Sequence, residues 1–473
     1  MRPWIAACLL AIASCAVDSV DDGDYSANPS DFDSKADGVT GSSAAVIKLI
    51  DGAKSRVYLQ APTLADKTLI THLKSAAARN VDVHVYVVVP HAAHPETVLA
   101  AEQLEAAGVD TISDRATKLS GFLAIADDTL LVDATGKTDT NADHVQSAAD
   151  KFNAAIAEDV SGTPPAIGSD GTALILMPDS GPGPIVSLMG GAKSSIDLSI
   201  YQLQSPAAVA ALVAAQQRGV TVRVMLEPQT VGSVNFPQVN AVLDAAGIAC
   251  KPTPPKFSAG FTVDHAKFMI LDGNELLYSS GNLVRSGLGG NRALEFDNRD
   301  FWIRDQRDAS VSEAKQLFAA DWARTDTTSI DFKSLVLTPD NANDQLDALI
   351  DGAKSRLYIY NQSLNDKTMI AKINAAKGRG VDVRVLLADI PAIGSSPAAN
   401  QAALDAIQGA AYFSAHYLHG KVIVADDQAF VGSQNFTGGG LLHNRELGEI
   451  LTSKTIVDSL AKHFLADQAN PTP

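Results

Sequence analysis

Three times along the chain a small polar turn leads into a short apolar run. The turns are Asp51-Gly-Ala-Lys-Ser-Arg56, Gly191-Ala-Lys-Ser194 and Asp351-Gly-Ala-Lys-Ser-Arg356, and the runs behind them read VYLQ, IDLSIY and LYIY. Each passes through an Ala- and Leu-rich stretch into a second apolar run: VDVHVYVVV, VTVRVMLE or VDVRVLLA. Period-2 alternation predicts strands, and the stretches between them predict helices, so three β-α-β units are expected. Phe318-Ala-Ala-Asp-Trp322 and Phe464-Leu-Ala-Asp467 end later helical segments, with Lys151-Phe152 in the matching place of the first unit. Strands alternating with helices give an α/β fold class of repeated lobes, each a mixed β-sheet flanked by helices. Linkers near Ser161-Gly-Thr-Pro-Pro165 and residues 325–333 divide these into lobes at 41–162, 168–328 and 333–473.

The second and third units each contain a further buried strand, KFMILD or KVIVAD, that begins with chemistry. His265 and Lys267 precede Asp272, Ser280 and Asn282; His419 and Lys421 precede Asp426, Ser433 and Asn435. Residues i and i+2 of a strand share a face, which sets each histidine beside its lysine. Asp272 and Asp426 fall at odd spacing, on the opposite side near the turn, where they are expected to hold backbone. Ser280 with Asn282, and Ser433 with Asn435, again stand at i and i+2. There hydroxyl and amide could meet one anionic oxygen, completing a phosphate cradle. Recurrence of all five residue types implies two half-sites made by duplication and one shared active site.

These residues closely resemble the phospholipase D superfamily, whose signature is a His-Lys-Asp motif followed by Gly-Ser-x-Asn. The second copy carries Gly432-Ser433-Gln434-Asn435, while in the first Ser279 stands in the glycine position. The family places an acid downstream in an Asn-Arg-Glu type stretch, here Asn444-Arg445-Glu446-Leu447 and Asn298-Arg299-Asp300-Phe301. Glu295 lies nearer Asn282, but the correspondence of NRDF with NREL favours Asp300. The resemblance implies two lobes paired by a pseudo-two-fold and a two-step displacement without metal or other cofactor. One histidine attacks phosphorus, and the other protonates the leaving alcohol and then activates water or another alcohol. In the family the first-motif histidine is commonly the nucleophile, which points to His265, with His419 as acid and base. The resemblance also has Glu446 orient His265 and Asp300 orient His419.

The first lobe keeps the strand pattern and loses the chemistry. Aligning SGFLAIADDTLLVD on HGKVIVADDQAFVG puts Ser120 at the histidine, Phe122 at the lysine, Ala134 and Gly136 at the serine and asparagine, and leaves Asp127. A decayed copy kept for packing or substrate shaping is expected. The loop holding His91 and His94 lacks convergent carboxylates and does not read as a metal site.

The amino terminus resembles a bacterial lipoprotein signal: Arg2, an apolar run from Trp4 to Leu10, then Ile12-Ala13-Ser14-Cys15, with Cys15 the residue that takes the lipid. The run is too short for a permanent membrane helix. Residues 1–15 are thus read as signal, and 16–40, with seven Asp against one Lys, as a disordered tether. Cys8 leaves with such a signal and only Cys250 remains, so no disulfide joins the lobes. A net charge of −17 repels phosphate backbones and leaves no strong nucleic-acid signal, which lowers a nuclease reading without excluding it. The chain is therefore expected to be exported and lipid-anchored in the bacterial cell envelope, or secreted, and to cleave or exchange phospholipid head groups. The alternatives are a nuclease or other extracytoplasmic phosphodiesterase, and a non-catalytic phosphate-binding scaffold.

Overall fold

The computed structural model describes residues 44–61, 64, 66–87, 100, 104, 107, 109–113, 123–131, 137–156, 160–228, 236–257, 262–289, 297–388, 397–413 and 415–469. Cys15 and the amino-terminal signal and tether, His91, His94, Ser120, Phe122, Ala134, Gly136 and Glu295 lie outside them. The described residues up to 156 belong to one unit and those from 160 on to another.

In the first unit, β1 (Arg56–Ala61), β2 (Asp82–Val87) and β3 (Asp110–Ser113) run parallel. Beside β1 stand β4 (Leu123–Ala126), β5 (Thr129–Leu131) and β6 (Thr138–Asp139), antiparallel, giving the order β3-β2-β1-β4-β5-β6. The crossover helix Lys67–Ala78 forms because Asp66 caps it, accepting from Thr68 N at 2.8 Å, and because Leu69, Leu73 and Ala76 recur on one face over the sheet. Helix Ala142–Ile156 covers the other face and stacks Phe152 on Tyr58 at 5.1 Å.

The second unit holds two sheets of that same design. One contains β7 (Thr172–Met177), β8 (Ser195–Ile200), β9 (Thr221–Leu226), β10 (Ala249–Pro252), β11 (Lys267–Leu271), β12 (Glu275–Ser279) and β13 (Asn298–Asp305), ordered β10-β9-β8-β11-β12-β13 with β7 on β13. The other contains β14 (Leu335–Thr338), β15 (Arg356–Asn361), β16 (Asp382–Ala388), β17 (Ala410–Phe413), β19 (Lys421–Ala425), β20 (Gln428–Gly432) and β21 (Glu446–Leu451), ordered β17-β16-β15-β19-β20-β21-β14. The short β18 (Tyr417–Leu418) leaves the third lobe to pair parallel with β13 of the second. Phe268, Phe301 and Phe318 share one buried core with Tyr358, Tyr360 and Phe464, so the two lobes pack as a single body. In the third lobe Phe464 stacks on Tyr358 at 5.1 Å, repeating the Phe152–Tyr58 contact of the first.

The recurring Gly-Ala-Lys-Ser turn has a structural reason. Asp272, at the β11–β12 turn, accepts from the backbone N of Lys193, Ser194 and Ser195 at 2.9, 2.6 and 3.1 Å. Asp426 takes Lys354, Ser355 and Arg356 at 2.7, 2.8 and 3.0 Å, and Asp127 takes Lys54, Ser55 and Arg56 at 3.0, 2.8 and 3.2 Å. All three acids sit in the left-handed region, at φ 53°, 53° and 49°, which Asp tolerates in tight turns. Five residues of strand, roughly 17 Å, separate such an aspartate from the lysine that opens the strand. The His-Lys-Asp signature groups Asp272 and Asp426 with the catalytic histidines and lysines, but in the structure they tie backbone at one end of each sheet.

Candidate active site

Lys267 and Lys421 open β11 and β19, the central antiparallel strands of their sheets, and both are fully buried. Each histidine precedes its lysine by two residues, at the end of the sheet where the lobes meet. There His265 N donates to Arg445 O at 2.8 Å, and Arg445 N donates to Val263 O at 3.0 Å. The related pairing on the other side is β18, which precedes His419, running beside Asn298 and Arg299.

This exchange delivers each lobe's acid to the other lobe's imidazole. His265 Nδ1 lies 2.9 Å from Glu446 Oε2, and His419 Nδ1 lies 3.0 Å from Asp300 Oδ1. Both carboxyl groups are wholly buried. A carboxylate only accepts, so the proton sits on Nδ1 and Nε2 keeps the lone pair.

The serines do something other than the sequence suggests. Ser280 Oγ donates to Asp300 Oδ1 at 2.7 Å and accepts from Phe301 N at 3.0 Å. Ser433 Oγ accepts from Leu447 N at 3.1 Å and lies beside Glu446, where it helps hold that carboxyl below its ordinary range. With both serines fully buried, their hydroxyls fix the carboxylates from behind and are not phosphate ligands in this geometry. Gly281 is required by the same packing, since a Cβ there would stand 2.5 Å from Asp300 Oδ2.

Asn282 Nδ2 donates to Gln202 Oε1 at 2.9 Å and Asn435 Nδ2 to Gln362 Oε1 at 3.3 Å, while each asparagine Oδ1 is buried without a hydrogen-bond partner. Lys421 Nζ donates to Gln362 Oε1 at 3.0 Å and to the His419 carbonyl, and Lys267 Nζ donates to the His265 carbonyl. Gln362 and Tyr201 are equivalent places, each following the residue that pairs with the motif lysine. Tyr201 meets the His265 ring edge-on at 4.8 Å and lies 5.1 Å below Lys267 Nζ, whereas Gln362 bonds Lys421 and Tyr417. The two halves thus differ just where they touch their lysines. Sequence reasoning missed Gln202, Gln362, Tyr201 and Tyr417. A repeated strand end beside the motif strand was the available signal, but only the sheet order reveals which strand lies beside it.

Burial dominates the electrostatics. It pushes both His265 and His419 down to about 4, against the pull of Glu446 and Asp300 respectively. Lys421 acts on His265, and Lys267 on His419, so the two halves share one field. Burial also brings Lys421 down to about 8 and Lys267 well below its ordinary value. It acts to raise Asp300 and Glu446 as well, but the partner histidines, the lysines and the serines hold both below the usual carboxylate range. With both lysines in their ammonium form, the site's own charges cancel against the two carboxylates beside two neutral imidazoles. An added monoanion stabilises one further proton there.

Residues 185–322 and 346–468, more than half of the chain, match the family described as cardiolipin synthase, PLD-like domain. The fold is similar to that of phosphatidylserine synthase from Haemophilus influenzae, with a TM-score of 0.51 at 12% identity over 65% of this chain and 88% of that one. Polyphosphate kinase from Porphyromonas gingivalis gives 0.49 at 17% over 63% of this chain, which spans half of that protein's length. Nuc from Salmonella typhimurium, a phospholipase D family member, gives 0.26 at 19% over 32% of this chain and 93% of that one. No curated protein matches the sequence. Two family matches over two lobes of the same sheet order place this chain in the phospholipase D superfamily of phosphodiester-acting proteins, as a member of its PLD-like domain family.

Proposed function

We propose that the chain is a phospholipase D-type phosphodiesterase that hydrolyses or exchanges phospholipid head groups through a phosphohistidine. The observation that carries this is the crossed pair of contacts, His265 with Glu446 and His419 with Asp300, each 3.0 Å or less and each made between lobes. The carboxylates keep the Nδ1 protons and leave Nε2 of both rings for chemistry.

A bound phosphodiester brings one negative charge into a site whose own charges cancel, and one imidazole gains a proton while the other remains a nucleophile. Nε2 of His265 attacks phosphorus, and the bond from phosphorus to the head-group oxygen breaks as His419 gives that oxygen its proton. His419 then takes a proton from water or an alcohol, whose oxygen attacks phosphorus and breaks the P–N bond. Lys267 and Lys421, with Asn282 and Asn435 once their amides turn from the glutamines, neutralise charge growing on the non-bridging oxygens.

The lipid reading is supported by the family match and by the lipobox at Cys15, which would tether the enzyme beside a bilayer. The test is a substrate panel in EDTA: phospholipid vesicles with and without an added primary alcohol, bis-p-nitrophenyl phosphate, and single-stranded DNA. Release of head group, or its replacement by the alcohol, supports the reading. Cleavage of DNA with intact lipids rejects it in favour of a nuclease.

A further inference from the structure

The arginines preceding the two acids repeat a contact that the proposed chemistry does not use. Arg299 and Arg445 are almost wholly buried. Arg299 Nη1 donates to Asp179 Oδ2 at 2.5 Å and to Met177 O at 3.1 Å, and its Nη2 donates to Asp467 Oδ1 at 3.1 Å. Arg445 Nη1 donates to Asp340 Oδ2 at 2.7 Å, and its Nη2 donates to Asp321 Oδ1 at 3.3 Å. Asp179 and Asp340 hold the same place, two residues after β7 and β14, each beyond a cis proline. Asp321 and Asp467 also correspond, as the aspartates that end the two Phe-x-Ala-Asp helices. Each guanidinium therefore grips one acid from its own lobe and one from the other.

We infer that Arg299 and Arg445 are positioning residues that set the tautomer of the opposite lobe's histidine, Arg445 for His265 and Arg299 for His419. The side chain anchors the strand end to both lobes. The next residue is Glu446 or Asp300, which holds the imidazole, and the arginine's own main chain pairs with the segment carrying that histidine. A planar fork that satisfies two carboxylates at once fixes angle as well as distance, which a lysine point charge does not. Neither arginine belongs to the His-Lys-Asp motif, and the duplication preserves the whole arrangement of arginine, two acids and exchanged backbone pairing.

This inference deepens the functional reading and rests on it, but its test does not need turnover. The full chain, labelled with 15N-histidine and with signals assigned by His265→Gln and His419→Gln, is compared with Arg445→Lys and Arg299→Lys. In the parent both rings show the Nδ1–H tautomer. Arg445→Lys is expected to populate Nε2–H at His265 and leave His419 unchanged; Arg299→Lys is expected to do the reverse. kcat on a small diester should fall about 10- to 100-fold in each, by analogy with the groups that orient metal-binding histidines, with KM within about two-fold. If an arginine variant does not fold, Asp321→Asn and Asp467→Asn remove the cross-lobe arm of Arg445 and Arg299, with the same selective outcome expected. Loss of melting temperature with both tautomers intact overturns the inference, as does a change at both histidines in either variant. A parent chain without phosphodiesterase activity sinks the functional reading and leaves the tautomers to decide this one.

Discussion

Glu446 of one lobe holds the imidazole of His265 in the other at 2.9 Å, and it does so from a wholly buried position. Neither lobe alone contains an oriented histidine. Replacing Glu446 with Gln, or Asp300 with Asn, removes the acceptor that keeps the proton on Nδ1. The expected loss in kcat is on the order of 10²–10⁴, with KM little changed, by analogy with the serine-protease triad, where neutralising the aspartate leaves the wrong tautomer. Steady-state kinetics on a small diester check this. A loss in KM alone would make the acids substrate ligands, and full activity in Asp300→Asn would return Glu295 to consideration.

Burial of two neutral imidazoles has a consequence in acid. Both histidines are pushed down to about 4 in the folded chain, against about 6.5 when unfolded. Between those values the unfolded chain binds more protons, so stability is full above about pH 6.5 and declines as pH falls towards 4. Asp300 and Glu446, also held low, extend the loss below that range. The decline is on the order of a few kcal/mol in all. Denaturant melts from pH 7 to 4 should show it, and the slope should flatten in the double variant His265→Asn, His419→Asn. A slope unchanged by that variant would place the titration elsewhere.

The three turn aspartates should behave alike although only two belong to a reactive lobe. Asp127→Asn, Asp272→Asn and Asp426→Asn each weaken a charged acceptor of three backbone N–H groups, at about 1–2 kcal/mol of stability. kcat per folded molecule should stay within about two-fold. Turnover abolished at unchanged melting temperature in Asp272→Asn would return that residue to the reaction.

Every residue assigned to the chemistry lies between Tyr201 and Glu446, within the second unit. A chain beginning at residue 158 is therefore expected to fold and to form the phosphohistidine with a small diester. A soluble, folded fragment that forms none would assign a catalytic part to the first lobe.

The β-α-β repeats, the mixed sheets and the paired motif were legible because strand alternation and duplication are properties of neighbours in sequence. The assignment of Asp300 and Glu446 to opposite histidines came from resemblance, since nothing local links residues 119 or 181 positions apart. What stayed hidden depended on register. Ser280 and Ser433 stand at i and i+2 from their asparagines, yet they turn to the carboxylates because the neighbouring strands β13 and β21 bring Asp300 and Glu446 behind them. Gln362 and Tyr201 owe their places to β15 and β8 lying beside the motif strands, a neighbour relation that no local pattern specifies.

The most direct test is the burst of p-nitrophenolate from bis-p-nitrophenyl phosphate in EDTA. That leaving group needs no proton, so the attack by His265 proceeds without the acid, while release of the adduct still requires His419 as base. His419→Ala is expected to give about one equivalent of p-nitrophenolate per chain, then stall with a phosphoryl adduct that maps to His265. His265→Ala is expected to give none. A burst from His265→Ala, or an adduct on any residue other than His265, would contradict the division of labour on which the account stands.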